Sequence, residues 1–229
     1  MKKLLLLSQL ALLPLVFPAT NAEAVTNTGV IAFGKCTHGN GIIKTVERKV
    51  DEFTLLETEG AYDLKITTGK NKQAVKITGE ANLLPLISTS SQGNKLVIKL
   101  ENSICTEMPI SVEVNVGTLN ALVVSGSETV NILDLYNEKF ILDMSGSGDV
   151  ELSGIAIGFD ATLSGAGDLE ARTLKTKETI LNITGTGTAN VHASERLKVK
   201  ITGVADVNYF GNPKQIEKEI IGVGELTAH

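Results

Sequence analysis

Glycine recurs at a nearly constant interval through the second half of the chain. Each occurrence lies in a copy of one short pattern, which is clearest at Met144–Val150 (MSGSGDV). The leading glycines, spaced 18–20 residues apart, are Gly126, Gly146, Gly165, Gly185, Gly203 and Gly222. A repeat of this length is too short for a helix-containing repeat or a propeller blade, but it matches one turn of a β-solenoid.

The residues that flank the glycines alternate between apolar and polar, which is the periodicity of β-strands. In the second copy the residues predicted to point inward are Leu142, Met144, Val150 and Leu152. The glycines are expected at corners, where a positive φ or a tight bend is needed. We therefore predict an all-β fold, a parallel β-solenoid (β-helix) with coils of about 19–20 residues.

The apolar composition is consistent with thin stacked layers. Aromatic residues make up only 4% of the chain and tryptophan is absent, so that aliphatic side chains must fill the core. Residues 42–120 are β-rich but less regular, and we expect them to cover one end of the stack. Within them, Ala61–Thr68 and Gln73–Gly79 are predicted to form a hairpin. Charges at Glu217–Glu219 are expected to protect the other end.

The N-terminus resembles a secretory signal peptide. Lys2 and Lys3 precede an apolar stretch, Leu4–Val16, and Ala22 and Ala24 are small residues at a cleavage site. We predict a signal peptide at residues 1–24, an N-terminal arm at 25–41 and a β-solenoid domain at 42–229, with irregular coils at 42–120 and regular repeats at 121–229. A retained anchor is the alternative. The chain is expected to be exported to the periplasm or the extracellular space and to be soluble once the signal peptide is removed.

Two cysteines, Cys36 and Cys105, remain after such a cleavage. Because exported proteins meet oxidising conditions, a disulfide between them is the favoured interpretation. It would tie the arm to the body of the domain, and two free thiols are the alternative.

Residues for catalysis or metal binding are sparse. Asp149 and Asp168 occupy equivalent places in neighbouring coils, where stacked carboxylates could hold Ca²⁺ or act as an acid/base pair. Thr188 interrupts this column, however, and an aspartate after Gly-x-Gly is also typical of a turn. The three histidines, His38, His192 and His229, lie far apart in the sequence and are expected at the surface. We predict no catalytic residue, no metal site and no cofactor.

Several segments together resemble a known bacterial family. These are Gly39–Gly41, Glu47–Phe53, Gly79–Leu84, the Ser-Gly-Ser-Gly-Asp-Val repeats and Tyr209–Lys214. In this order they resemble the putative auto-transporter adhesin, head GIN domain family, over about residues 39 to 227. The resemblance implies a β-solenoid, a secreted or envelope location and no defined catalytic residues.

Charge limits the classes of partner. The net charge is −5 and basic clusters are absent from the sequence, which argues against nucleic acid and anionic membrane surfaces. We expect no membrane insertion after signal cleavage.

The leading hypothesis is a non-catalytic exported envelope protein, an adhesin or binding module that presents an extended β surface to an unknown envelope glycan or protein. The alternatives are a secreted polysaccharide-acting β-helix enzyme and a periplasmic structural or regulatory partner.

Overall fold

The structure, a computed structural model, describes residues 36–229. The predicted signal peptide and residues 25–35 of the predicted arm lie outside this part of the chain. Between residues 36 and 229 no helix is long and apolar enough to cross a membrane.

The described chain is almost entirely β-structure, and its longest strands bend around corners of the coils. The strands are β1 (Thr37–His38), β2 (Ile43–Arg48), β3 (Leu55–Glu59), β4 (Asp63–Thr67), β5 (Ala74–Glu80), β6 (Ile87–Gln92), β7 (Lys95–Leu100), β8 (Ile104–Cys105), β9 (Ser111–Asn115), β10 (Ala121–Val124), β11 (Thr129–Met144), β12 (Asp149–Leu163), β13 (Leu169–His192), β14 (Arg196–Phe210), β15 (Gln215–Val223) and β16 (Leu226–Ala228). A short 3₁₀ turn at Leu84–Leu86 separates β5 from β6.

Strands β10 to β15 stack in parallel, each on the one before it, as a β-solenoid of about five turns. We name the three sides of a coil by the residues of β11 and β12. The first side contains 141–144, the second 149–152 and the third 154–159. Like residues stack on like, as where Ile201 lies between Ile183 and Ile220. The predicted fold class is confirmed.

The interior is filled as the alternation predicts. The four inward residues of the second copy are each at most 3% exposed, and they are Leu142, Met144, Val150 and Leu152. Phe140 and Phe159 add a buried stacked pair in neighbouring coils, with ring centroids 6.1 Å apart. Burying such side chains contributes roughly 1.5–3 kcal/mol each, which favours coils that keep the same inward positions.

The glycine column has a steric cause. A Cβ at Gly146 would overlap the carbonyl oxygen of Gly126, and one at Gly165 would overlap that of Gly146. Neither Gly146 nor Gly165 has a positive φ, whereas Gly203 does, at 139°. At the earlier corners the requirement is therefore close approach between coils. Of the two reasons expected from the sequence, a positive φ or a tight bend, the positive φ does not apply to Gly146 and Gly165.

In the N-terminal half the stacking order differs from the chain order. Strands β3 and β4 form an inner coil that lies between β10/β11 on one side and β7/β9 on the other. Strands β2, β5 and β6 are antiparallel to their neighbours and cover this end. The predicted hairpin is wrong, because β9 lies between β4 and β5 and pairs with both.

The first described residues are fastened to the body of the domain. Strand β1 pairs with β8, and Cys36 and Cys105 are joined as a disulfide with their Cα atoms 5.5 Å apart. Next to them, the buried Glu80 carboxylate accepts hydrogen bonds from the Gly41 amide (2.6 Å) and the Thr106 hydroxyl (2.5 Å).

The segment Gly39–Gly41 wraps around Glu80. A Cβ at Gly39 would overlap the carboxylate of Glu80, so that a larger residue there would have to displace this carboxylate from its hydrogen bonds. Asn82 completes the contact, since it accepts from the Asn40 amide (3.1 Å) and donates to the His38 carbonyl (2.7 Å). We call Glu80, Asn82 and Gly39–Gly41 the arm latch. The arm latch is a structural reason for two of the segments that carry the family resemblance, Gly39–Gly41 and Gly79–Leu84.

The last coil ends in β16, and both of its strands, β15 and β16, pair with β14. Strand β15 contributes most of this edge. Its register places Lys218 opposite the buried Val199, which is an inward position. Glu217 and Glu219 point outward and form ion pairs with Arg196 (2.8 Å) and Lys200 (3.0 Å), respectively. The charges predicted to protect this end therefore lie on both faces of the strand.

Candidate functional site

The aspartates of the repeat lie on the outer surface of the second side. Asp149 Oδ1 accepts the amide of Asp168 (3.0 Å), and Asp168 Oδ1 accepts the amide of Thr188 (2.7 Å). Asp206 Oδ1 repeats the contact with the amide of Glu225 (3.0 Å). Each aspartate thus ties its own coil to the next at the corner, where the two backbones approach closely. This is a structural use of the carboxylate that spans two coils.

Two residues further along each coil lies a second column of amides and carboxylates. Asn190 Nδ2 donates to Glu170 Oε2 (2.8 Å), and Asn208 Nδ2 donates to Asn190 Oδ1 (2.9 Å). At the other end, Asn131 Nδ2 donates to Glu151 Oε2 (2.9 Å). Glu151 and Glu170 are neighbours in register. This amide column therefore has two adjacent carboxylates at its centre.

A third column carries aromatic and cationic groups. Phe210 and His229 are stacked with ring centroids 5.1 Å apart, and the Arg172 guanidinium lies 5.5 Å from the Phe210 ring centroid. His192 is the register partner of Phe210. We call Arg172, Phe210 and His229 the aromatic platform. It shares the second side with the two polar columns.

His192 is half-buried, and its Nδ1 lies 3.3 Å from the backbone of Thr176. Burial and the positive charge of Lys175 hold the pKa of His192 below its usual range. A neutral imidazole is therefore expected at His192 at pH 7.

A groove of about 440 Å³ runs across the coils between the aspartate column and the amide column. It is lined by four carboxylates, with amides at either end, and these residues are Asp149, Glu151, Asp168, Glu170, Asn131 and Asn190. Among residues 36–229, only Glu170 of the four carboxylates has an ion-pair partner, which is Arg172 (3.7 Å). The groove is therefore strongly acidic and presents hydrogen-bond acceptors to solvent.

Comparison with protein families gives one result. Residues 52–213 match the family described as "Putative auto-transporter adhesin, head GIN domain". The chain belongs to this family. The match covers the inner coil, two of the three antiparallel strands that close the N-terminal end (β5 and β6) and the coils that carry the groove.

Solved structures with the same fold come from Bacteroides and Parabacteroides species. A putative adhesin from Bacteroides fragilis is 22% identical to the head GIN chain, with a TM-score of 0.70 and coverage of 84% of this chain and 99% of that one. A putative lipid binding protein from Parabacteroides distasonis is 21% identical, with a TM-score of 0.57 and coverage of 85% and 100%. These likenesses show the fold. Comparison with curated proteins found no match.

The third side of the head GIN chain exposes apolar side chains. Tyr136 and Ile155 are register partners and are 80% and 56% exposed. Ile157, two residues further on, is 54% exposed. Large apolar groups in contact at a surface mark interaction sites more often than scattered ones do.

The sequence prediction located the Asp149/Asp168 column but missed the aromatic platform. Arg172, His192, Phe210 and His229 recur at the spacing of the glycines, and this spacing was the available signal. Their residue types differ, however, so that no common pattern marks them.

The histidines separate into two places. His192 and His229 lie on the second side, whereas exposed His38 lies beside Cys36, with its Nε2 4.0 Å from Cys36 Sγ. Spacing along the chain does not reveal the contact of His38 with Cys105, because the pairing of β1 with β8 creates it.

Proposed function

We propose that this protein is a non-catalytic recognition module of the cell envelope that binds a glycan along its second side. The observation that carries the proposal is the groove between the aspartate column and the amide column, with the aromatic platform further along the same coils. The site lies on stacked strands and not on loops, so that its groups are held at fixed spacing.

The chemistry of the groove suits a polyhydroxylated ligand. Carboxylates such as Glu151 and Glu170 accept strong hydrogen bonds from hydroxyl groups. Amides such as Asn190 both donate and accept. The outer edges of the stacked rings of Phe210 and His229 add an apolar surface against which the carbon face of a sugar ring can pack. Since equivalent groups recur in each coil, about 4.8 Å apart, an extended polymer can be bound across several coils.

Charge narrows the class of glycan. The four carboxylates of the groove repel uronate or sulfated polymers and attract amino groups. We therefore expect neutral or amino-bearing glycans to be preferred over acidic ones.

Export is part of the same proposal. It is supported by the signal-like N-terminus, by the family description as an adhesin and by the pairing of Cys36 with Cys105. The non-catalytic character is supported by the aspartate column, whose carboxylates are hydrogen-bonded to backbone amides of the next coil.

A glycan-array screen on the full chain, followed by calorimetry with the best ligand, tests the proposal. The double variant Glu151→Gln/Glu170→Gln and the variant Phe210→Ala are each expected to weaken binding by about tenfold or more. Glu219→Gln is the matched control, since it removes an exposed, ion-paired carboxylate from the first side.

Absence of any saturable glycan binding by folded protein would contradict the function. If the double glutamate variant, Phe210→Ala and Glu219→Gln all bound the glycan with wild-type affinity, the proposed site would be wrong. Shortening of the bound glycan during incubation would favour the polysaccharide-acting enzyme instead.

A protein partner is the second candidate, and the exposed Tyr136, Ile155 and Ile157 favour it. Capture of an envelope protein that Tyr136→Ser abolishes and Phe210→Ala leaves intact would support this candidate.

A further inference from the structure

The fastening of the arm brings together three side chains that bind metals. In the part of the chain that the structure describes, one group of histidine, cysteine and acidic residues has all its ligand atoms within 4.8 Å of one another, and it consists of Cys36, His38 and Cys105. Cys36 directly precedes β1, and its Sγ lies 4.0 Å from Nε2 of His38, the last residue of that strand. His38 and Cys105 are register partners in the β1–β8 pair.

Sulfur and imidazole ligands in this number match the preferences of one class of metal ion. Zn²⁺ and Co²⁺ bind thiolates at about 2.3 Å and imidazole at about 2.0–2.1 Å. Three ligand atoms within 4.8 Å of one another can therefore surround one ion after small side-chain rotations. His38 is exposed, so that solvent can reach the fourth position of a tetrahedral site.

The disulfide controls whether the ligands exist. A disulfide sulfur carries no thiolate, and the thiolate is the metal ligand. Reduction by a dithiol or a phosphine breaks the S–S bond with two electrons and two protons and yields two thiols. Binding of a divalent ion then releases the two thiol protons and leaves the imidazole neutral.

We propose that Cys36, Cys105 and His38 form a redox-gated site for Zn²⁺ or a similar thiophilic divalent ion. In the oxidised protein the disulfide fastens the arm. In the reduced protein the metal ion takes over this role, because its ligands lie in or directly next to the paired strands β1 and β8. The arm latch holds the two strands together during the exchange, since Asn82 binds the His38 carbonyl and the Gly39 amide binds the Cys105 carbonyl (3.0 Å).

Titration of the full chain with Co²⁺ tests the proposal. Protein reduced with a phosphine under nitrogen is expected to bind one Co²⁺ with a thiolate-to-cobalt absorption band, and Zn²⁺ should displace it. Oxidised protein should show no band. His38→Ala should weaken binding about tenfold or more, whereas the matched control Thr37→Ala changes a side chain on the opposite face of the same strand and should leave binding unchanged.

Hydrogen exchange provides a second readout that does not depend on the thiolate-to-cobalt absorption band. Reduction should speed amide exchange at residues 37–41, and Zn²⁺ should slow it again in the wild type but not in His38→Ala. Absence of a thiolate band in reduced, folded protein would overturn the proposal. So would equal Co²⁺ affinity in the His38→Ala and Thr37→Ala variants, or equal affinity in oxidised and reduced protein.

Discussion

Glu80 and Glu128 are both buried carboxylates, and their surroundings shift their pKa values in opposite directions. The Thr106 hydroxyl, followed by the Gly41 amide, lowers the pKa of Glu80. Burial raises the pKa of Glu128 and outweighs the nearby amides of the corner. Neither oxygen of Glu128 has a hydrogen-bond partner among the described residues. The first carboxylate therefore stabilises the fold when it is charged, and the second costs stability when it is charged.

Replacement of Glu80 by glutamine should weaken the arm latch and change its response to acid. Because the folded-state pKa lies below the ordinary 4.5, the contribution of the carboxylate is fully present above pH 4.5 and is lost as the pH falls through the lower value. Urea unfolding at pH 7 and at pH 3 measures this. The stability difference between wild type and Glu80→Gln should shrink on acidification, whereas Glu113→Gln, which removes an exposed ion-paired carboxylate, should show little difference at either pH. Equal differences at both pH values would contradict the prediction.

Replacement of Glu128 by glutamine should have the opposite sign. A raised folded-state pKa means that stability falls as the pH rises from the ordinary value to the raised one. Glu128→Gln removes the buried charge and should raise the free energy of unfolding at pH 7 by about 1 kcal/mol, which corresponds to a rise in Tm of about 2–4 °C. Calorimetry at pH 7 and pH 4.5 checks this. The gain should be smaller at pH 4.5, and a loss of stability at pH 7 would refute the prediction.

At the scale of strands and corners, the glycine column shows how tightly the coils approach. Gly146, Gly165 and Gly185 each lie against the carbonyl oxygen of the glycine one coil earlier. A larger residue at one of these glycines would push its coil away from the previous coil. The two coils are hydrogen-bonded on both sides of the corner and resist this separation. The period of the repeat is thus enforced by backbone contact as well as by the core.

Alanine substitution distinguishes glycines that lie against the neighbouring coil from glycines that have space for a Cβ. Gly165→Ala should lower the free energy of unfolding by about 2 kcal/mol and Tm by about 4–8 °C, since the new Cβ would overlap the Gly146 carbonyl. Gly158 provides the control, because its nearest neighbour would be the Glu138 oxygen at an ordinary 3.8 Å. Thermal unfolding followed by circular dichroism should show Gly158→Ala close to wild type. Equal effects of the two substitutions would contradict the close-approach account.

The sequence predicts the strands better than it predicts their neighbours. Alternation identifies the inward residues of the coils, because burial acts on each side chain separately. It contains no information on which strand lies alongside, so that the insertion of β9 between β4 and β5 was not predictable. The aromatic platform was missed for a related reason. Its members share a register and not a residue type, and register is set by the whole coil.

At the scale of the whole molecule, the two ends of the stack are protected differently. Antiparallel strands β2, β5 and β6 cover the N-terminal end. The last described coil instead presents β15, whose inward position opposite Val199 is a lysine, Lys218. An inward charge on an edge strand opposes the addition of a further strand from another molecule.

Removal of this charge should therefore promote association. Lys218→Ile restores the apolar inward pattern and is expected to shift the protein from monomer toward dimer or larger species in a concentration-dependent way. Light scattering coupled to gel filtration measures the mass. Lys72→Ile, which replaces an exposed lysine in the connection between β4 and β5, should stay at the wild-type mass. The same mass for Lys218→Ile would show that the inward lysine does not protect this end.

The inner coil has a consequence for the timing of folding. Strand β3 has β7 and β10 as its neighbours, and β4 has β9 and β11. All four follow in the chain. A polypeptide that leaves a ribosome or a secretion channel with its N-terminus first therefore exposes Leu64 and Ile66 until residues up to about 133 have emerged. The inner coil, although it is synthesised early, therefore waits longest for its contacts, and each later coil can close as soon as it appears.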